Sequence, residues 1–166
     1  MYFSVYNKKE VMGSDKVKVV VQRCSEASVK VDGNVVGKIG KGVMLLVGFT
    51  FGDTLEEITY MADKIINLRI FDDEKGIMNK SLLDVEGSIL SVSQFTLYGD
   101  ARKGRRPSYI NALNGDEAKK LYQLFNEILR KKVVVEEGVF GADMKVSLVN
   151  DGPVTILLEK EGKGNG

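Results

Sequence analysis

The sequence predicts an α+β fold: a single domain with strongly curved mixed β-sheets, a barrel-like core, and two main helices packed outside. Three observations carry this. Strand-like apolar runs recur from Val17 to Leu158, while only two stretches show helical spacing. The chain has 166 residues, the size of one domain with its own core. No repeat or composition break divides it. Strands that outnumber helices, with both local and distant partners, argue for sheets covered by helices rather than a helical bundle.

Taken in order, residues 1–16 are mixed and unperiodic and read as an N-terminal extension without function. The domain is expected over 17–159. "VKVVVQR", Val17 to Arg23, is β-branched and reads as a buried strand. Two alternating runs around Asp32-Gly33-Asn34 signal a hairpin. "GVMLLVGF" reads as a central strand. Asp53 or Thr54 opens the first helix, where Asp53 and Glu56 have capping-box spacing. Leu55, Ile58, Met61, Ala62, Ile65 and Ile66 supply its apolar stripe. "LRIFDDEKGIMNKSLLDVEG" reads as a short strand and a loop-rich excursion. A strong strand is expected over Ile89–Leu97, then a basic loop. The second helix runs from about Asp116 to Lys131 on Ala118, Leu121, Tyr122, Leu124, Phe125, Ile128 and Leu129. A strand at Val133–Glu136 and a turn at "GVFGADM" follow. Two further strands meet at the break Asn150-Asp151-Gly152-Pro153, and 160–166 reads as a flexible tail.

Composition excludes much chemistry. Hydrophobic residues make up 43% and charged residues 28%, ordinary for a globular protein. The net charge of +1 gives no whole-chain field toward nucleic acid or membrane. No apolar run approaches the ~20 residues of a membrane helix. The one cysteine, Cys24, excludes an internal disulfide and fits a reducing cytosol. There is no histidine, so a Ser-His-Asp triad, a Cys-His pair and an imidazole base are excluded. The usual zinc ligand sets go with them. No metal and no cofactor are expected. Catalysis would have to use hydroxyls, carboxylates, backbone amides or groups of the substrate.

Three stretches stand out, each with an ordinary alternative. In "SQFTLYGD" the polar Ser93, Gln94 and Thr96 close an apolar strand. That is either a satisfied strand end or a polar cluster where a substrate sits. No base stands beside the hydroxyls in the sequence, which argues against an activated nucleophile. "ARKGRRPSY" gathers Arg102, Lys103, Arg105 and Arg106 within five residues. It is either a solvated loop or a phosphate contact. Gly152-Pro153 opens a strand with a residue that lacks an N–H. It is either an edge-strand entry or a cis peptide that presents two carbonyls to an ammonium. Arg23 ends its strand either in solvent or against a partner, because an unpaired buried charge is costly. Cys24 reads as a small buried thiol.

Together, "VVVQRCSEASVKVDG", "NLRIFDDEKGIMNKSLLDVEG", "SVSQFTLYGDARKGRRPSY" and "GVFGADMKVSLVNDGPVT" resemble the D-aminoacyl-tRNA deacylases, from about Val17 to Leu158. "SQFTLYGD" and "NDGPVT" are that family's two signature motifs, present in order and intact. The family starts with Met where this chain has Val17. The resemblance implies a homodimer in the cytoplasm that hydrolyses the ester of D-aminoacyl-tRNA, and of mischarged glycyl-tRNA, without cofactor or membrane. It implies that Gly152 and Pro153, joined by a cis bond, enter the partner's pocket. There they would hold the α-ammonium and exclude an L side chain, with Arg23 bracing them. It assigns Gln94, Phe95 and Thr96 to the catalytic centre, with backbone N–H donors near Gln94 and Phe95 for the oxyanion. Thr96 would position rather than attack. Ser93, Gln94 and Phe95 would line the adenosine pocket, and Phe140 and Met144 its nearby walls. Arg102, Lys103, Arg105 and Arg106 would meet the tRNA. Two other functions compete: a non-catalytic RNA-binding module and an esterase of small metabolites.

Overall fold

The structure, a computed structural model, describes residues 16–160. The expectations for an N-terminal extension and a C-terminal tail fall almost wholly outside these residues. Strand β1 (Lys16–Val31) turns through Asp32-Gly33 into β2 (Asn34–Ile39), and β3 (Gly42–Gly48) follows. The turn is two residues long with φ of 51° and 79°. Positive φ at both positions matches the twist of the flanking strands, which is why Asp-Gly suits it. Helix α1 (Leu55–Asn67), the small hairpin β4 (Phe71–Asp72) and β5 (Met78–Lys80), and β6 (Ser88–Ser93) come next. A 3-10 turn (Phe95–Tyr98), helix α2 (Gly115–Arg130), β7 (Val135–Glu137) and β8 (Lys145–Lys160) complete the order.

The main sheet runs β2-β1-β3-β6-β7, with β8 on the other edge of β1. β3, β6 and β7 are parallel neighbours. Parallel strands need crossovers, and α1 and α2 lie in the two that connect them. Both faces of β3 and β6 are covered, so they read as nearly continuous apolar runs. Val43, Leu45, Val47 and Ile89 join Ile58, Met61, Ile65, Phe125 and Leu129 under the helices. Met44, Leu90 and Val92 point the other way, to Cys24, Ala27, Val29 and Ile39. The sheet curls far enough that β2 approaches β7. A Cβ on Gly37 would lie 2.8 Å from the Glu137 carbonyl oxygen, so only glycine allows this closure. The predicted fold class, with two helices outside a barrel-like mixed sheet, is the one observed.

Four local expectations change. The capping box is Thr54 and Glu57, one residue later than predicted, with the Thr54 N–H donating to Glu57 Oε2 at 2.7 Å. Asp53 instead accepts from the N–H groups of Thr50 (2.7 Å) and Val17 (3.2 Å), pinning the start of β1 to the β3–α1 loop. The strand predicted to reach Leu97 stops at Ser93, because Gln94 N–H makes the last bond to β3, at Val47 O, and β3 then ends. Without a ladder partner, the chain closes its own 3-10 bonds. The strand predicted at Val133 begins at Val135, since Lys132 and Val133 still donate to the Leu129 carbonyl of α2. The two runs around Asn150-Asp151-Gly152-Pro153 form one strand, β8, because both pair with β1.

That break is a bulge. Gln22 pairs with Thr155 and Cys24 with Asn150, so Arg23 alone faces Asp151 to Val154. Arg23 is buried and holds the bulge: its Nε donates to the Asp151 carbonyl at 2.9 Å and its Nη1 to the Ile70 carbonyl at 2.7 Å. Asp72 Oδ1 lies 3.5 Å from Nη1. The Gly152-Pro153 peptide is cis, and Gly152 has φ of 124°. Cys24 is fully buried, and burial first, then Asp151, pushes its thiol up to about 11. It is therefore a packing residue rather than a thiolate.

Two predictions follow from these anchors. An alanine Cβ at Gly152 would lie 2.9 Å from Val154 Cγ2 and 3.0 Å from Arg23 Nη2, at a φ that L residues rarely adopt. Gly152→Ala should cost about 1–3 kcal/mol, read from the urea midpoint. An unchanged midpoint would mean that the bulge re-forms around a side chain. Burial raises the Asp53 carboxyl from 3.8 to about 6, against its backbone donors and Lys16. The folded state thus holds this proton more tightly than the unfolded chain does. Asp53 favours folding at low pH, and that contribution is lost as pH rises from about 4 to about 6. The Tm of the wild type minus that of Asp53→Asn should fall across this window. A flat difference would place the carboxyl at its ordinary value.

Candidate active site

The parallel strands β3 and β6 end side by side, and a cavity of about 550 Å³ opens beyond them. Crevices outside the carboxyl ends of parallel strands are common ligand sites, because the chain diverges there into separate loops. Val47 and Gly48 close the end of β3, and Ser93, Gln94 and Phe95 the end of β6. Gly115 and Ala118 of α2 form a third side. Phe140 and Met144, from the loop between β7 and β8, form a fourth. Five of the residues singled out in the sequence thus line one cavity: Ser93, Gln94, Phe95, Phe140 and Met144.

Thr96, predicted with them, does not line the cavity; it is exposed just beyond Phe95, and its hydroxyl accepts from Gln94 Nε2. Gln94 and Thr96, expected within a strand that reaches Leu97, both lie beyond the end of β6. The two still meet, because the 3-10 turn folds them together. Gln94 offers Thr96 a donor, not a base. The carboxylate on the cavity wall, Asp143, is exposed and paired with Lys145 at 3.1 Å. The Gln94 N–H is spent on Val47 O, so it is not a free oxyanion donor. Among the described residues, the Phe95 N–H has no protein partner.

Sequence reading missed what holds the Phe140 wall. Tyr122 Oη donates to the Ser91 carbonyl at 2.7 Å, and the Gly138 N–H donates to the same oxygen at 3.0 Å. The Tyr122 ring lies 5.9 Å from that of Phe140. One turn on, fully buried Asn126 donates from Nδ2 to Glu137 Oε1 at 2.8 Å, and Arg130 takes Glu137 Oε2 at 2.7 Å. The signal was available: Asn126 is a polar residue four after Tyr122, on the buried stripe of α2.

The other predicted residues lie apart from the cavity. Arg23 pairs with Val43 near the start of β3, whereas the cavity lies at the end of that strand. Gly152 and Pro153, held by Arg23, are exposed and do not line the cavity of their own chain. The basic loop is a hairpin closed by reciprocal 2.8 Å bonds between Asp100 and Ser108. Arg102 folds back onto Asp100 at 2.7 Å, and that bonding holds the Asp100 carboxyl down at about 2. Lys103, Arg105 and Arg106 are exposed at the tip. Among the described residues, no three His, Cys, Asp or Glu side chains gather as a metal site.

A family model described as D-Tyr-tRNA(Tyr) deacylase matches residues 20–159. A D-aminoacyl-tRNA deacylase of Clostridium acetobutylicum is 58% identical over 146 residues, which are 87% of this chain and 98% of that protein. One of Bacillus velezensis is 59% identical over 87% of this chain and 99% of its own. Among solved structures, the c-Myc DNA Unwinding Element Binding Protein superposes with a TM-score of 0.82 at 44% identity, over 86% of this chain and 98% of its own. A probable eukaryotic D-amino acid tRNA deacylase shares the fold, with a TM-score of 0.74 at 20% identity over 87% of this chain and 99% of its own. With nearly the whole domain matched by the family model and by relatives well above half identical, this chain belongs to the D-Tyr-tRNA(Tyr) deacylase family.

Proposed function

We propose that this protein hydrolyses the ester between a D-amino acid and the 3′-terminal adenosine of tRNA, in the cytoplasm where tRNA is charged. The observation that carries this is the cavity of Ser93, Gln94, Phe95, Phe140 and Met144, in a chain with the family's two motifs intact. The terminal adenosine enters the cavity, flanked by the Phe140 and Met144 wall. Water attacks the ester carbonyl, and the Phe95 N–H donates to the oxyanion. Removing one such donor from an enzyme typically costs about 10²–10³ in rate. An aminoacyl ester is already activated, and the adenosine 2′-hydroxyl assists the attacking water. A histidine-free site therefore suffices. Thr96, held by Gln94, positions the ester.

Stereochemical selection is proposed to come from a second copy. Among the described residues, β8 pairs on one side only, with β1, so its outer edge has no ladder partner along its 16 residues, and the strand exposes Val149 and Leu157. A free edge of that length and polarity invites another chain. Docking there would bring Gly152 and Pro153 to the partner's cavity rather than their own. Their carbonyls would accept from the substrate ammonium. An L side chain would meet the backbone, a D side chain would point away, and glycine would also pass. Lys103, Arg105 and Arg106, with Arg102, would hold the tRNA phosphates. The competing function, an RNA-binding module without chemistry, draws on that same basic hairpin.

Matched D- and L-tyrosyl-tRNA incubated with purified protein and a chelator decide between them. Rapid loss of the D ester with the L ester spared is expected. Equal cleavage would remove the chirality filter, and binding without cleavage would favour the module. Thr96→Ala should slow turnover by no more than about tenfold, the worth of one hydrogen bond. A nucleophile's removal costs nearer ~10⁶, and a loss of that order would make Thr96 the nucleophile.

A further inference from the structure

Phe95 is 45% exposed, yet it sits on the rim of the cavity. Its ring packs edge to face on Tyr109, with centroids 5.3 Å apart and planes at 68°. Tyr109 is itself 38% exposed. It follows Ser108, so it stands at the base of the basic hairpin. Its ring also crosses Gly99, where a Cβ would lie 3.0 Å from Tyr109 Cε1. Beyond it, Lys103, Arg105 and Arg106 form no ion pair among the described residues. A hollow of about 380 Å³ lies between the hairpin and the following segment, lined by Asp100, which Arg102 pairs, by Arg102, Lys103, Ser108 and Asn111, and by the 71% exposed Ile110.

From the cavity outward, the surface therefore runs from polar pocket to open aromatic pair to unpaired cations. Two large rings left in water beside a basic loop are poor core material. They match what single-stranded nucleic acid needs: ring faces for bases and cations for the backbone between them.

We propose that the Phe95–Tyr109 pair is a stacking platform for an unpaired RNA base just before the terminal adenosine, and that the hairpin of residues 101–107 takes the adjoining phosphates. This rests on the esterase function proposed for the cavity. It assigns Tyr109 as a binding residue that reads the polynucleotide rather than the ester. The terminal adenosine fills the cavity, the chain leaves over the rim, and the next base meets the Tyr109 ring. Stacking of this kind tolerates any base, since each has a π-face.

The test compares kcat/KM on D-tyrosyl-tRNA with kcat/KM on the 2′(3′)-O-D-tyrosyl ester of adenosine, which lacks the rest of the RNA. Tyr109→Leu keeps apolar packing over Gly99 and removes the aromatic face, and Tyr109→Phe keeps it. In Tyr109→Leu the tRNA-to-nucleoside ratio should fall about tenfold, through KM, and Tyr109→Phe should restore it. Arg105→Gln should instead flatten the salt dependence of the tRNA KM, by roughly one charge. An unchanged ratio in Tyr109→Leu overturns the platform. So does an equal loss on both substrates, which marks Tyr109 as packing alone. If the wild type cleaves neither substrate, the esterase function falls. The platform is then read from binding of labelled uncharged tRNA: weaker binding to Tyr109→Leu supports it, and equal binding overturns it.

Discussion

Strand β1 has two edges, and β8 occupies one of them from Lys16 to Lys30. The other edge must serve both β2 and β3, which meet it in turn with a break at Gly40-Lys41. Irregular register in the β1–β8 pairing falls at the same level, around Cys24. The sheet bends there, and much else depends on the bend. It carries β2 across to β7, encloses the cluster around Met44 and Leu90, and leaves the helix side to a separate and larger core. Parallel β3 and β6 then end together, with the cavity beyond them.

The same level of β1 places Arg23, a guanidinium in a nearly dry position. Burial of an unpaired charge costs several kcal/mol, and here two backbone carbonyls and two nearby carboxylates offset that cost. The carbonyls come from segments far apart in sequence, Ile70 and Asp151. One side chain thus ties the β4 segment to the bulge that presents Gly152 and Pro153. The bulge is exposed yet held from beneath by the Arg23 side chain.

Chemistry without histidine rests on position. Around the cavity, groups that could be reactive are committed elsewhere: the Gln94 N–H to Val47, Gln94 Nε2 to Thr96, and Asp143 to Lys145. What remains is a shaped opening with the Phe95 N–H, which has no protein partner among the described residues, beside it. The polar pairs behind the wall, Tyr122 with Ser91 and Asn126 with Glu137, fix the Phe140 loop rather than react. In the function proposed, an activated ester held in such an opening would need little more, since holding reactants in line removes much of the barrier.

The amino-acid sequence by itself determined the elements with strong local causes. The β-branched run at Val17, the apolar stripes of the two helices and the Asp-Gly turn need only near neighbours in the chain. The two motifs, and with them the family, were equally legible, and five residues singled out in the sequence, Ser93, Gln94, Phe95, Phe140 and Met144, line one cavity. The tertiary structure decided which distant groups face each other. The strand after Ile89 stops at Ser93 because its neighbour β3 ends, a fact held some 45 residues away in the chain. The two runs around Gly152 are one strand because both lie on β1, so the proline marks a bulge rather than a turn. The burial of Arg23, the Asn126–Glu137 pair and the contact of Phe95 with Tyr109 all depend on chain segments brought together by the bend. Local propensity acts over a few residues, whereas hydrogen-bond pairing between strands acts across the whole chain. Only the second could place the residues around this cavity.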